Sequence, residues 1–252
     1  MKRQYLILFC TALIGSAFGQ TFSDNFDAYA VGDNLAAKSA VWETWSGPNG
    51  GTDDVKVTNT KAKSGSNSIY FQSTAANGGP SDVVLPFGGA RTAGQFSLKM
   101  AMNVDAGKNA YFNFQEQTTV GKGYAIDVYF MEDKTLNINN AAAGNLLSVN
   151  YPQGQWFDFE LNIDLNTNTW DLYIDGTKAG SFQNATRAIT LTTLVIRIPD
   201  TPARVKMPLL LTLAMSLDSW QVRTLFPPLK SGILEPLPLP VPMFLSNTTA
   251  TR

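Results

Sequence analysis

The sequence predicts an all-β protein, an antiparallel two-sheet sandwich with an irregular Pro-rich C-terminal tail. Three observations carry this expectation. Alternation of polar and apolar residues recurs between Thr21 and Phe182, most clearly in Phe96-Ser-Leu-Lys-Met-Ala-Met, Tyr111-Phe-Asn-Phe and Phe157-Asp-Phe-Glu-Leu-Asn-Ile. That period of two puts successive side chains on opposite faces of a strand. The runs are punctuated by Gly, Asn, Asp and Ser, which favour turns. No segment sustains a 3.6-residue period with helix caps, and many similar short strands with frequent turns imply a sandwich or jelly roll.

The expected strands are 55–58, 68–72, 82–87, 95–104, 110–115, 124–131, 135–138, 146–149, 156–165, 169–174 and 178–182. The best-marked join is a hairpin. Trp170, Leu172 and Ile174 point one way from their strand, and Asp171, Tyr173 and Asp175 point the other. Asp175-Gly176 supplies a two-residue turn, because both residue types tolerate positive φ. Asn166, Thr167 and Asn168 form the preceding turn, so 156–182 reads as a three-stranded meander. Trp156 and Trp170 are expected in the core.

The N-terminal residues read as a secretory signal peptide over 1–19. Lys2 and Arg3 form the positive region, Tyr5–Ile14 the apolar region and Ala17-Phe18-Gly19 the cleavage site. A mature chain starting at Gln20 is expected to be secreted or held at the cell surface. No later stretch reaches the roughly 18 apolar residues of a membrane span. The only cysteine, Cys10, lies inside the signal segment, and a chain of this size can bury enough surface to fold without disulfides.

Histidine is absent from the 252 residues. This removes Ser-His-Asp and Cys-His catalysis and His-ligated zinc. A formal charge of −1 with no basic run argues against nucleic acid as a partner.

The character of the chain changes near residue 183. Residues 21–182 hold four prolines and seventeen glycines, whereas 183–252 hold nine prolines and one glycine, so the second stretch cannot use the same turn chemistry. The expected organisation is a sandwich core over 20–182, an uncertain closing strand region over 183–226 and a Pro-rich, disordered tail over 227–252. Glu235-Pro-Leu-Pro-Leu-Pro-Val-Pro242 suits polyproline II. Two readings of this region stand side by side: a genuine final strand with a Pro-rich tail, or a frame-shifted C-terminus.

Several motifs together carry a resemblance. Trp170-Asp-Leu-Tyr-Ile-Asp-Gly176 with Gly180 resembles the W-x-L-Y-V-D-G-x-x-x-G hairpin of concanavalin A-like lectin/glucanase jelly rolls, the laminin-G-like group included. Phe22-Ser-Asp-Asn-Phe-Asp-Ala-Tyr-Ala-Val-Gly32 is similar to the opening of such domains in secreted bacterial proteins. Ser64-Gly-Ser-Asn-Ser-Ile-Tyr70 and Tyr151-Pro-Gln-Gly-Gln-Trp156 resemble two further elements. The resemblance covers about 22–182; Met215-Ser-Leu-Asp-Ser-Trp-Gln-Val222 matches the usual closing strand only loosely. It implies a curved sandwich with a concave face, in a group holding glycan-binding modules, laminarinase-type hydrolases and adhesive domains.

Hydrolysis has little support in the residues. Retaining glycosidases need two carboxyls about 5–5.5 Å apart, and the E-x-D-x-x-E strand of laminarinase-type enzymes is missing. Glu160 and Asp164 are separated by roughly 13 Å along a strand, and Glu132 and Asp133, near Asp127, look like turn residues. Asp24, Asn25 and Asp27, joined by Asp218, form a candidate oxygen site for Ca2+, the hard cation such ligands suit. The resemblance implies a calcium site of this kind between the first and last strands.

Glycan recognition has more candidates. Tyr111, Asn113 and Gln115 share one strand face, opposite Phe112 and Phe114; Asp127 and Tyr129 share another, opposite Ile126, Val128 and Phe130. If the two strands are neighbours, they make one polar-aromatic patch of the kind that stacks on sugar rings and hydrogen-bonds their edges. Tyr124, Trp42 and Trp45 complete the candidates, the two tryptophans as rim residues or as a plug at the sandwich end. The expected product is a secreted, non-catalytic module binding a polysaccharide or extracellular glycan. The alternatives are an adhesive or structural surface domain without a small ligand, and a glycoside hydrolase with an unrecognised carboxylate pair.

Overall fold

The computed structural model describes residues 22–73, 79–185, 189–197 and 209–214, the last segment and Ser73 by backbone alone. The signal segment, Asp218 and the Pro-rich tail lie outside them. The described chain forms one short helix, α1 (Leu35–Lys38), and fourteen strands. In chain order they are β1 (Glu43–Thr44), β2 (Lys56–Thr58), β3 (Ser68–Ser73), β4 (Asp82–Arg91), β5 (Gln95–Val104), β6 (Ala110–Gln115) and β7 (Tyr124–Phe130). Then follow β8 (Thr135–Asn140), β9 (Gly144–Asn150), β10 (Trp156–Asp164), β11 (Thr169–Ile174), β12 (Thr177–Phe182), β13 (Leu191–Arg197) and β14 (Leu209–Ala214).

They pair antiparallel into two seven-stranded sheets. The first has the order β1-β4-β13-β6-β7-β8-β9 and the second β12-β11-β10-β5-β14-β3-β2. Every expected strand is present within a few residues of its expected ends. β13 and β14, from beyond the composition break, are interior strands of the two sheets. β13 pairs with both β4 and β6, and β14 with both β3 and β5.

The alternating pattern explains the layering. Phe112, Phe114, Val128 and Phe130 of the first sheet face Leu98, Met100, Phe157, Phe159 and Trp170 of the second, all buried. Aromatic edges lock the two layers: Phe112 meets Phe159 with ring centroids 5.2 Å apart and Phe114 meets Trp170 at 6.2 Å, both T-shaped. Full burial of each such ring contributes about 1.5–3 kcal/mol. Trp156 corrects the sequence reading. It shares the parity of Asp158 and Glu160 on β10 and lies half-buried on the outer face, whereas Trp170 is fully enclosed.

The hairpin forms as its chemistry requires. Asp175 and Gly176 have φ of 50° and 74°, the double positive φ of a type I′ turn. Gly180 on β12 has a separate reason to be glycine: a Cβ there would lie 2.8 Å from Leu147 Cδ1. Leu147 is on β9, so this contact closes the seam between the edge strands of the two sheets. Asn140, Asn168 and Asn184 tie one end of the sandwich together. Asn140 and Asn184 both donate to the Ala125 carbonyl, and Asn168 accepts from the Trp170 indole and the Asn184 N–H.

Candidate functional site

The register of the first sheet sorts its outward side chains into rows across the strands. One row runs Asp82, Arg197, Tyr111, Tyr129, Asn137 and Ser148, through β4, β13, β6, β7, β8 and β9. The next runs Glu43, Val84, Val195, Asn113, Asp127, Asn139 and Asn145. A third holds Pro86, Thr193, Gln115 and Tyr124. Trp45 extends the first row, since its N–H donates to the Asp82 carbonyl beside β1. The two strands carrying the expected patch are therefore neighbours, with Tyr111 opposite Tyr129 and Asn113 opposite Asp127.

This outer face is enclosed at its centre. Asn113 and Gln115 are fully buried, as are Val195 and Val84 within one per cent, although none belongs to the inter-sheet core. Part of the cover is the loop between β6 and β7. Its Gly121 N–H donates to Gln115 Oε1 at 3.0 Å, and Gly121 lies so close to Trp45 that a Cβ would sit 3.0 Å from the indole.

A hydrogen-bonded relay links the side chains. The Tyr111 hydroxyl donates to Asp127 Oδ1 and accepts from Asn113 Nδ2, and the Tyr111 and Tyr129 rings pack at 4.9 Å. Burial raises the Asp127 carboxyl above its ordinary pKa, opposed by the Tyr111 hydrogen bond and the Arg197 charge. Burial, with Asp127 alongside, pushes the Tyr111 phenol far up, so it remains a neutral donor. The Arg197 guanidinium lies 5.9 Å from the Trp45 ring centroid, its Nε 3.6 Å from Asp82 Oδ2.

Such a face can bind but is poorly arranged for two-carboxylate hydrolysis. Asp82 and Asp127 are three strands apart, about 14 Å at the usual strand spacing, well beyond the separations of glycosidase pairs. Elsewhere, Glu160 and Asp164 line a polar groove of about 550 Å³ on the outer face of the second sheet. There Asn162 donates to Glu160, while Asp164 accepts from Gln95 and from the Asn166 and Thr167 N–H groups of its turn.

The remaining expected residues are dispersed. Of the two readings of Trp42, rim residue or plug, its burial fits the plug: it is 1% exposed, packs against Phe26 and donates its indole N–H to Asp24. It is a plug in the N-terminal corner, away from the rows that hold Trp45. Asp24 also accepts from Phe26 N and Tyr29 Oη; Asp27 accepts from Ser66 N and Asn67 N; and Asn25 accepts from Asp27 N. Among the described residues no group of three His, Cys, Asp or Glu side chains gathers to hold a metal. Sequence reasoning missed Arg197, Asp82, Val84 and Val195, because face membership across β13 depends on pairing between distant segments. The alternation through Leu194-Val-Ile-Arg197 was the available signal, masked by an apolar run that looks buried on both sides.

No protein-family model matches the chain, and no curated protein matches it in sequence. Solved structures do match in fold. One is botulinum neurotoxin type C, whose cell entry is dependent upon interaction with two ganglioside molecules, at 11% identity and TM-score 0.52, covering 79% of this chain and 47% of that one. The fold is a concanavalin A-like jelly roll. A sialidase is similar at 12% identity and TM-score 0.49, covering 77% of this chain and 19% of that one. The carbohydrate binding module CBM66 from Bacillus subtilis is similar at 9% identity and TM-score 0.44, with 73% and 97% covered. The jelly roll thus spans about half of the toxin chain and about a fifth of the sialidase chain.

Proposed function

We propose that this jelly roll is a secreted, non-catalytic carbohydrate-binding module that seats a glycan on the outer face of its first sheet. The observation that carries the reading is the row Trp45, Arg197, Tyr111 and Tyr129, with Asn113, Gln115 and Asp127 beside it. Aromatic bodies with polar edges, flanked by amides and a carboxylate, offer stacking surface and hydrogen-bonding groups together. A solvated sheet face has no use for fully buried Asn and Gln side chains, whose enclosure is costly without a purpose. The fold likeness to a toxin that interacts with gangliosides supports the same reading at the level of scaffold. Among the described residues no helix is long and apolar enough to cross a membrane.

A glycan array and affinity electrophoresis on the chain from Gln20 test the proposal. Retention by at least one polysaccharide is expected, weakened by Tyr129→Ala. An absence of retention across all polysaccharides would sink it.

A further inference from the structure

We infer that the sugar unit seated at the centre of this face is a neutral N-acetylhexosamine, its acetamido group bridging Asn113 and Gln115; the inference rests on the carbohydrate-binding reading above. Hydrogen-bond logic fixes the orientation of both amides. The Tyr111 hydroxyl gives its single proton to the Asp127 carboxylate, so towards Asn113 it can only accept. The Asn113 atom 3.0 Å from it is therefore the Nδ2 donor. The Gln115 atom 3.0 Å from the Gly121 N–H must likewise be the Oε1 acceptor.

What remains is one acceptor, Asn113 Oδ1, and one donor, Gln115 Nε2. Both are buried and neither has a hydrogen-bond partner among the described residues. Their residues are two apart on one strand, about 6.7 Å between Cα atoms. A secondary amide presents one N–H and one carbonyl on opposite edges of a rigid plane, the complement of this pair. A single hydroxyl spans at most about 6 Å between two hydrogen-bond partners, against about 6.7 Å between the two Cα atoms. Two hydroxyls would each bring surplus donors or lone pairs into an enclosed site, where unmatched polar groups are disfavoured.

The neighbours fit the rest of the group. Val195 faces the same side as Asn113 directly across the ladder, with Val84 beyond it, and both are buried. They offer an apolar bed for the acetyl methyl. A ligand carboxylate is disfavoured, because Asp127 stands directly opposite Asn113 on the neighbouring strand and would meet it as like charge against like charge. An unacetylated amine would still give Asn113 Oδ1 a donor but would bring no carbonyl to Gln115 Nε2, leaving that buried donor unpaired. Entry requires the Gly121 edge of the β6–β7 loop to lift from Gln115 and Trp45.

Calorimetric titration of the chain from Gln20 with three β-1,4-linked trimers tests this: N-acetylglucosamine, de-N-acetylated glucosamine and glucose. The acetylated trimer is expected to bind at least about tenfold more tightly than the others, the scale of one well-made buried hydrogen-bond pair. Gln115→Glu keeps the acceptor for Gly121 but removes the donor, and is expected to erase the preference. If that variant does not fold, the wild-type ranking and the glycan array decide, since retained glycans should carry an acetamido group. Equal binding of the acetylated and glucose trimers, or an array in which retained glycans lack acetamido groups, overturns the inference while leaving carbohydrate binding intact. No binding to any glycan overturns the carbohydrate reading itself.

Discussion

Replacing Asn168 should be among the most damaging single changes to this protein, although the residue sits in a turn. Its side chain is 9% exposed and its backbone φ is 53°. Oδ1 accepts from Trp170 Nε1 at 3.2 Å and from Asn184 N at 3.1 Å, while Nδ2 donates to Asn184 O at 2.7 Å. Alanine removes all three bonds. The indole N–H then loses its acceptor inside the core, about 1–3 kcal/mol, and the two Asn184 bonds add about 0.5–1.5 kcal/mol each. Left-handed backbone in alanine adds roughly 1 kcal/mol. The expected total is about 3–7 kcal/mol, or roughly 6–28 °C in Tm for a domain of this size. Asn168→Gly loses the same bonds without the backbone penalty, so it should melt a few degrees above Asn168→Ala. Asn166→Ala, in the same turn but exposed and making one bond to Gly94, should cost about 0.5–1 kcal/mol. Differential scanning calorimetry on the three variants measures the ranking. Equal shifts for Asn166→Ala and Asn168→Ala would refute the claim that the Asn140–Asn168–Asn184 cluster fastens this end of the sandwich.

Three further expectations follow from local geometry. Gly180→Ala forces its Cβ towards Leu147 and should destabilise by about 1–3 kcal/mol; Leu147→Ala in the same chain should recover part of that loss in chemical denaturation. Burial raises the Asp127 carboxyl, so the folded state keeps its proton to higher pH than the unfolded chain. Stability from this group therefore falls as pH rises from the ordinary carboxylate value through the folded one and is level above it. Asp127→Asn should gain Tm relative to wild type across that window, and parallel Tm-versus-pH curves would contradict the argument. Because Asp24 and Asp27 already accept hydrogen bonds from the protein, exchange of calcium for EDTA should leave Tm within about a degree. A rise of several degrees with calcium would instead support a site completed by Asp218.

Much of this protein was legible in one dimension. Alternation is local, so Phe96-Ser-Leu-Lys-Met and Phe157-Asp-Phe-Glu-Leu announced β5 and β10 with their inward faces, and Asp175-Gly176 announced its turn. The patch on β6 and β7 was legible too, since Tyr111 and Tyr129 stand on successive segments that need only a short loop to pair. Single aromatic residues were less readable. Trp42 and Trp45 are three apart, yet one plugs the N-terminal corner and the other lies by Arg197. Trp156 begins a strand whose inward parity starts one residue later.

The sequence by itself determined which residues are strands, which face of each is apolar and where the tight turns fall, because backbone sterics and period-two burial act over a few residues. Only the tertiary structure decided the strand order. β13, from a stretch whose composition looks foreign to the rest, inserts between β4 and β6 and brings Arg197 and Val195 beside Tyr111 and Asn113. Strand pairing joins segments some eighty residues apart through backbone hydrogen bonds that carry no side-chain signature. The polar rows and the unmatched amide pair therefore exist only once the sheet is assembled.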